Sequence, residues 1–178
     1  MSTYIALLRG INVGGNSLKM RRLVEICAGL GFANTTTLLQ SGNVVFESGE
    51  VASTLAGRIE EAMVGETRLP VSVIVRTAVQ MKKIVAANPF LAEKAIDPYT
   101  LHVTFLSEPA TKEALKKLVG IHAGADRFHA TSQEIFLHCP MGYGGTRLSN
   151  KAIEKVLAVK ATTRNWNTTR ALREKVER

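Results

Sequence analysis

The chain has 178 residues, of which 46% are hydrophobic and 21% charged, and its formal net charge is +8 at pH 7. That length fits one domain or two small subdomains, and the composition is that of an ordinary soluble globular protein. No apolar run approaches the roughly 20 residues of a membrane span, so no membrane partner is expected.

The apolar stretch at residues 4–8 is too short for a signal peptide and lacks a basic lead-in. Cys27 and Cys139 have neither metal-ligand spacing nor a disulfide pattern, so a reducing, cytoplasmic location is the default. The charge is uneven. Residues 1–76 carry seven Lys/Arg and six Asp/Glu, whereas residues 140–178 carry nine Lys/Arg and three Glu. A basic tail of this kind suits nucleic acid or another polyanion, or is a solvated helix face.

In chain order, residues 3–8 form an apolar run ending at Arg9-Gly10 and predict a buried central strand. Met20, Leu23, Cys27 and Leu30 then recur at helical spacing, with Ser17 as the expected N-cap and Gly29 or Gly31 as the stop. Residues 32–39, with three consecutive threonines, predict a second strand. Ser41-Gly42-Asn43 predicts a turn into a third strand at 44–47, which makes a hairpin. Leu55, Ile59, Ala62 and Met63 mark a second helix, and residues 71–76 a fourth strand. This β-α-β-β-α-β order predicts an α+β fold with a ferredoxin-like first subdomain over residues 1–76.

Residues 77–178 predict a second, related but incomplete α/β subdomain. Thr77-x-x-Gln80 is a capping box, and Asn88-Pro89 ends the helix it opens. Residues 99–106 predict a strand, with Thr100, His102 and Thr104 on one side and Leu101, Val103 and Phe105 on the other. Pro109 is expected in the first turn of a helix bearing Leu115 and Leu118. Residues 127–131 and 134–138 predict a second hairpin. A glycine-rich loop, PMGYGGTRLSN at 140–150, leads to a helix at 149–157, and a last helix is expected over 165–177. The second copy is thus expected to end in helices, without a fourth strand.

A right-handed crossover makes the first two strands parallel, so the loop after each lies at the same edge of the sheet. These loops are RGINVGGNS at 9–17 and QSGN at 40–43. Glycine and asparagine permit positive φ and expose backbone N–H groups, and Arg9 adds a fixed charge. Arg9, Asn12, Gly14, Gly15, Gln40, Ser41, Gly42 and Asn43 are therefore the candidate phosphate or carboxylate cradle, against the plainer reading of ordinary turns. Neither a Rossmann fingerprint nor a P-loop is present.

The motifs RGINVGG at 9–15, Lys19-Met20, QSGNVVF at 40–46 and TTRNWNT at 162–168, in that order, resemble the bacterial family named domain of unknown function 1697. The resemblance runs from Thr3 to about Thr168. It implies an α+β architecture with ferredoxin-like parts and no stated activity. The family pattern has a valine where this chain has Thr169, which implies a small difference in packing of the last helix.

No catalytic constellation is recognisable. His102, His122, His129 and His138 lack zinc spacing, although His129, His138 and His102 could meet on one sheet. No metal and no cofactor are predicted. A secondary ligand-binding group comprises Arg147, Lys151, Arg164, Asn165 and Asn167; the plainer reading makes the asparagines helix caps and Trp166 a core anchor. The expected function is binding of a phosphate-bearing ligand or nucleic-acid backbone. The alternatives are an enzyme acting on a small anion between the subdomains and a structural or partner-binding protein. The sequence does not determine an oligomeric state.

Overall fold

The computed structural model describes residues 1–11, 18–68, 70–121 and 123–177. The chain folds as two compact units, Met1–Lys82 with Leu172–Arg178, and Lys83–Ala171. The architecture is mixed α/β, with two four-stranded antiparallel sheets and six α-helices among the described residues. None of those helices is long and apolar enough to cross a membrane.

The first unit contains β1 (Ser2–Arg9), α1 (Met20–Gly29), β2 (Ala33–Leu38), β3 (Asn43–Ser48), α2 (Ala52–Thr67) and β4 (Ser72–Thr77). Its strand order is β2-β3-β1-β4. The apolar run of β1 takes an inner position because it can be buried on both faces. It pairs with β3 from Ser2↔Ser48 to Leu7↔Asn43 and with β4 from Tyr4↔Thr77 to Arg9↔Ser72. Tyr4, Ala6 and Leu8 form a core with Val44, Phe46, Val73 and Val75 and with Leu23, Cys27, Leu55, Ile59 and Met63 of the helices. Phe32 stacks on Phe46 with centroids 4.4 Å apart. On the other face Ile5, Leu7 and Ile74 are also buried. The edge strand β2 is interrupted between Ala33 and Thr36, where Asn34 has φ 50°, a bulge that blunts an otherwise open edge.

The expected N-cap of α1 needs correction. The helix starts at Met20, after Lys19 in extended conformation and without a side-chain cap, and Ser17 lies outside the described residues. Leu18 is buried in the core, so the chain commits that side chain to packing before the helix begins.

The capping box is present as read. The Thr77 backbone N–H donates to Gln80 Oε1 at 2.9 Å and the Gln80 N–H to Thr77 Oγ1 at 3.1 Å, opening α3 (Ala78–Ala86). The second unit then contains β5 (Leu101–Leu106), α4 (Lys112–Lys117), β6 (Arg127–Ala130), β7 (Glu134–His138), α5 (Asn150–Leu157) and β8 (Ala161–Asn165), and α6 (Trp166–Val176) follows. The strand order is β6-β7-β5-β8, the first sheet's order repeated from β5 onward. On one face of this sheet Leu106, Ile135 and Leu137 pack with Leu118, Ile153 and Leu157.

Three expectations for this half are corrected. The second copy is complete, because Ala161–Asn165 forms a fourth strand paired with β5 from His102↔Asn165 to Leu106↔Ala161. The strand is short and joins α6 without a turn, so only its β-branched Thr162-Thr163 pair announces it. Pro109 is not in the first turn of α4. Thr111 is the cap, accepting from the Ala114 N–H at 3.1 Å. Tyr99 and Thr100 belong to a 3-10 turn capped by Asp97 and not to the strand.

Thr77→Ala removes the acceptor that holds the first turn of α3. The expected cost is about 1 kcal/mol, read as a lower urea midpoint with an unchanged slope. An unchanged midpoint would mean that the box does not help to start the helix.

Candidate functional site

The end of β1 and the β2–β3 hairpin do meet. The Leu8 N–H donates to the Gly42 carbonyl at 2.8 Å. Gly42 has φ +72°, and a Cβ there would lie 2.5 Å from Ile11 Cδ1 and 3.0 Å from Leu8 Cβ. Only glycine fits both the backbone and the space. Asn43 is buried, and its Nδ2 donates to the Leu38 carbonyl at 2.9 Å and to Ser41 Oγ at 2.8 Å, so this side chain closes the hairpin. Gln40 and Ser41 are exposed and Arg9 is half-buried. Arg9 shares a sheet face with Leu7, Asn43 and Ser72. The space beside Gly42 is filled by Ile11 and Leu8. Asn12, Gly14 and Gly15 lie outside the described residues.

The secondary group is not assembled on one side of its sheet. Arg164 lies opposite Val103 in the ladder, while its neighbours Thr163 and Asn165 face the other way. Arg164 is buried, and its guanidinium donates to Thr162 Oγ1 and to the Thr163 carbonyl, both at 2.9 Å. Burial pushes its pKa down to about 10. Asn165 is an N-cap, with Oδ1 accepting from the Thr168 N–H at 2.8 Å. Asn167 is half-buried in the first turn of α6, and Lys151 and Arg147 are exposed on α5 and the loop before it. Trp166 is 2% exposed.

The three-imidazole arrangement is also corrected. His129 pairs with Phe136 and His138 with Arg127, so these two share a face. His102 pairs with Leu137 and points to the opposite face. Among the described residues no group of three or more His, Cys, Asp or Glu could hold a metal ion. His122 lies outside them. Burial lowers the pKa of His102, against a smaller opposing effect of the Thr100 carbonyl 3.3 Å from Nδ1. Burial also pushes the Cys27 thiol up to about 12 and the Cys139 thiol up to about 11, so neither is a ready thiolate.

Two side-chain networks are not signalled by any motif. Thr163 Oγ1 is 2.7 Å from Thr104 Oγ1, accepts from Tyr143 Oη at 3.0 Å and donates to Asn150 Oδ1 at 2.7 Å. The Tyr143 ring stacks on His102 at 5.0 Å. The second network is an Arg127 fork, which donates to both Glu93 oxygens at 3.1 and 2.9 Å while lying 5.2 Å over Phe90. The guanidinium holds the Glu93 carboxyl below its usual pKa. These networks join residues distant in sequence, strand residues with residues of turns and of α5.

Gly42→Ala should destabilise the protein by more than Gly31→Ala, whose added Cβ meets nothing within 4 Å although its φ is +82°. Both carry a left-handed backbone cost of roughly 1–2 kcal/mol, and only Gly42 adds overpacking of roughly 1–3 kcal/mol. Equal denaturation midpoints would show that Ile11 yields freely. A second expectation concerns pH. Above about pH 6.5 His102 is neutral in both states. Below it the unfolded chain gains a proton that the buried ring resists, so stability falls as the pH falls. His102→Gln should flatten the decline in thermal midpoint below that pH, and an unaltered decline would assign it to other groups.

A solved structure titled as that of conserved bacterial protein SP0830 from Streptococcus pneumoniae matches with a TM-score of 0.71 and 17% identity, covering 98% of each chain. At that identity the likeness concerns the fold alone. No curated protein matches. The family described as "Protein of unknown function (DUF1697)" matches residues 1–136, which leaves the TTRNWNT motif beyond the matched stretch. With well over half its length matched, the chain belongs to that family.

Proposed function

We propose that this protein is a binding module for a phosphate-bearing ligand, held at the edge of the first sheet where β1 meets the β2–β3 hairpin. The observation that carries the reading is the Leu8 N–H to Gly42 carbonyl bond at 2.8 Å, which ties the Arg9-bearing end of β1 to the turn that exposes Gln40 and Ser41. A guanidinium, a side-chain amide and a hydroxyl are donors that suit a phosphate. Asn12, Gly14 and Gly15 lie outside the described residues, and the reading rests on Arg9, Gln40 and Ser41. The filled space beside Gly42 directs the ligand to the solvent side of the turn, toward Gln40 and Ser41. We also read both units as ferredoxin-like, a reading supported by the orders β4-β1-β3-β2 and β8-β5-β7-β6.

Arg9→Ala tests the site. A charge-assisted hydrogen bond is worth roughly 1.5–3 kcal/mol, so binding of pyrophosphate measured by calorimetry should weaken roughly 10- to 150-fold. Arg9→Lys keeps the charge but loses the planar fork, so it should fall between the two. Arg9→Ala binding pyrophosphate as tightly as the unaltered protein would overturn the reading.

A further inference from the structure

We infer that the solvent face of α4 and α5 is a contact surface for the phosphate backbone of a duplex nucleic acid. The two helices pack beside each other in the second unit, where Leu118, Ile153 and Leu157 are buried in one cluster. Their exposed residues include Lys112, Lys116 and Lys117 on α4 and Lys151 and Lys155 on α5. Two carboxylates lie on the same helices. Glu113 is exposed, and Glu154 accepts from the Ala161 N–H at 2.9 Å and is thereby engaged.

The first unit provides the contrast. In its helix layer Arg21 and Arg22 pair with Glu25 at 3.2 and 3.3 Å, Arg22 also pairs with Glu66, and Arg58 pairs with Glu50. Charge there is neutralised within the layer. Among the described residues none of the five lysines on α4 and α5 pairs with a carboxylate.

Local electrostatics account for only part of this placement. Lys116, Lys117 and Lys155 lie in the last turns of their helices, where the dipole favours a cation. Lys112 and Lys151 lie in the first turns, where it does not. Lys112 and Lys116 are four residues apart, as are Lys151 and Lys155, and such like-charge pairs repel. The face therefore accumulates positive charge against its own stability, which a polyanion would reverse.

The chemistry selects the kind of polyanion. A membrane-surface helix needs an exposed apolar face, whereas Ile153 and Leu157 of α5 are buried in the core and Leu115 of α4 and Val156 of α5 pack against it. A single strand needs aromatic stacking platforms, and Tyr99, on a separate turn, is the one strongly exposed large aromatic among the described residues. Lysines along the outside of two helices supply compact charges for phosphate oxygens, contacts that position a protein on a duplex without carrying sequence information. A duplex bound without sequence preference fits all of these.

The test uses the full chain, labelled DNA and RNA duplexes of about 20 base pairs, and anisotropy between about 50 and 200 mM salt. Binding should fall steeply with salt on both duplexes or on one of them, which identifies the preferred source. The variant carrying Lys112→Gln, Lys116→Gln, Lys151→Gln and Lys155→Gln should lose at least about tenfold in affinity at the lower salt. Its log–log salt slope should flatten by about one for each lysine that touches phosphate. A control carrying Lys19→Gln, Lys82→Gln, Lys83→Gln and Lys94→Gln removes the same charge from other exposed positions and should bind like the unaltered chain. Circular dichroism checks that both remain folded. No binding to either duplex at the lower salt, equal losses in the two variants, or full affinity in the α4/α5 variant would each overturn the inference. The α4/α5 variant should bind pyrophosphate as the unaltered chain does, so this test and that of the first-sheet site fail separately.

Discussion

Each unit hangs on one strand that is paired along both edges. β1 bonds to β3 and β4, and β5 bonds to β7 and β8. Residues Ile5 to Leu8 are at most 1% exposed, and every residue of β5 is buried. Fully burying one large aliphatic side chain contributes roughly 1.5–3 kcal/mol, and backbone groups so far from water must find partners in the sheet. These two requirements are met together only if the strand lies inside the sheet with its register set. A shift of one residue in β1 would move Tyr4, Ala6 and Leu8 out of the helix-side core and replace them with Ile5, Leu7 and Arg9. The end of β1, with Arg9, is therefore positioned by packing several residues away from it.

The same constraint explains the meeting of the two loops. β1 and β2 both run antiparallel to β3 and flank it, so their ends share an edge. The hairpin is then brought close enough that its turn leaves no room for a side chain at Gly42. Asn43 donates to the Leu38 carbonyl and to Ser41 Oγ and so shapes the loop from within. Its role in the fold and a role in binding would both be disturbed by one substitution, and the Ser41 hydroxyl shares in that role because it accepts from Asn43.

Much of the fold was legible in the sequence because its signals are local. The apolar run of β1, the spacing of Leu55, Ile59 and Met63, and the Thr77/Gln80 box all act within a few residues. What was not legible depended on distant partners. β8 has no turn before α6 and little alternation, and it becomes a strand because β5 offers it a free edge. The N-cap at Lys19 in place of the expected Ser17 goes with Leu18 being drawn into the core. At the candidate site, the approach of the loops followed from topology, but the filling of their junction by Ile11 could not be read from a glycine-rich string. In the secondary group, strand alternation alone separates Arg164 from Asn165, and it applies only once β8 is known to be a strand.

The repeat extends to one unusual feature. Arg76 on β4 lies opposite Ile5 of β1, and Arg164 on β8 lies opposite Val103 of β5. Both are buried, and each donates from its guanidinium to the carbonyl of the residue before it, at 3.0 and 2.9 Å. A buried guanidinium is costly unless its donors are met, and such a position is not expected to arise twice by chance in strands of five and six residues. The fourth strand of each unit thus has the same internal polar anchor beneath a different exterior. Inside, the two units keep one scheme of pairing and burial. Outside, one neutralises its helix layer with Arg–Glu pairs, while among the described residues the five lysines of α4 and α5 in the other have no carboxylate partner. Differences in function between the units are therefore to be sought on their surfaces, where changes of charge leave the shared scaffold intact.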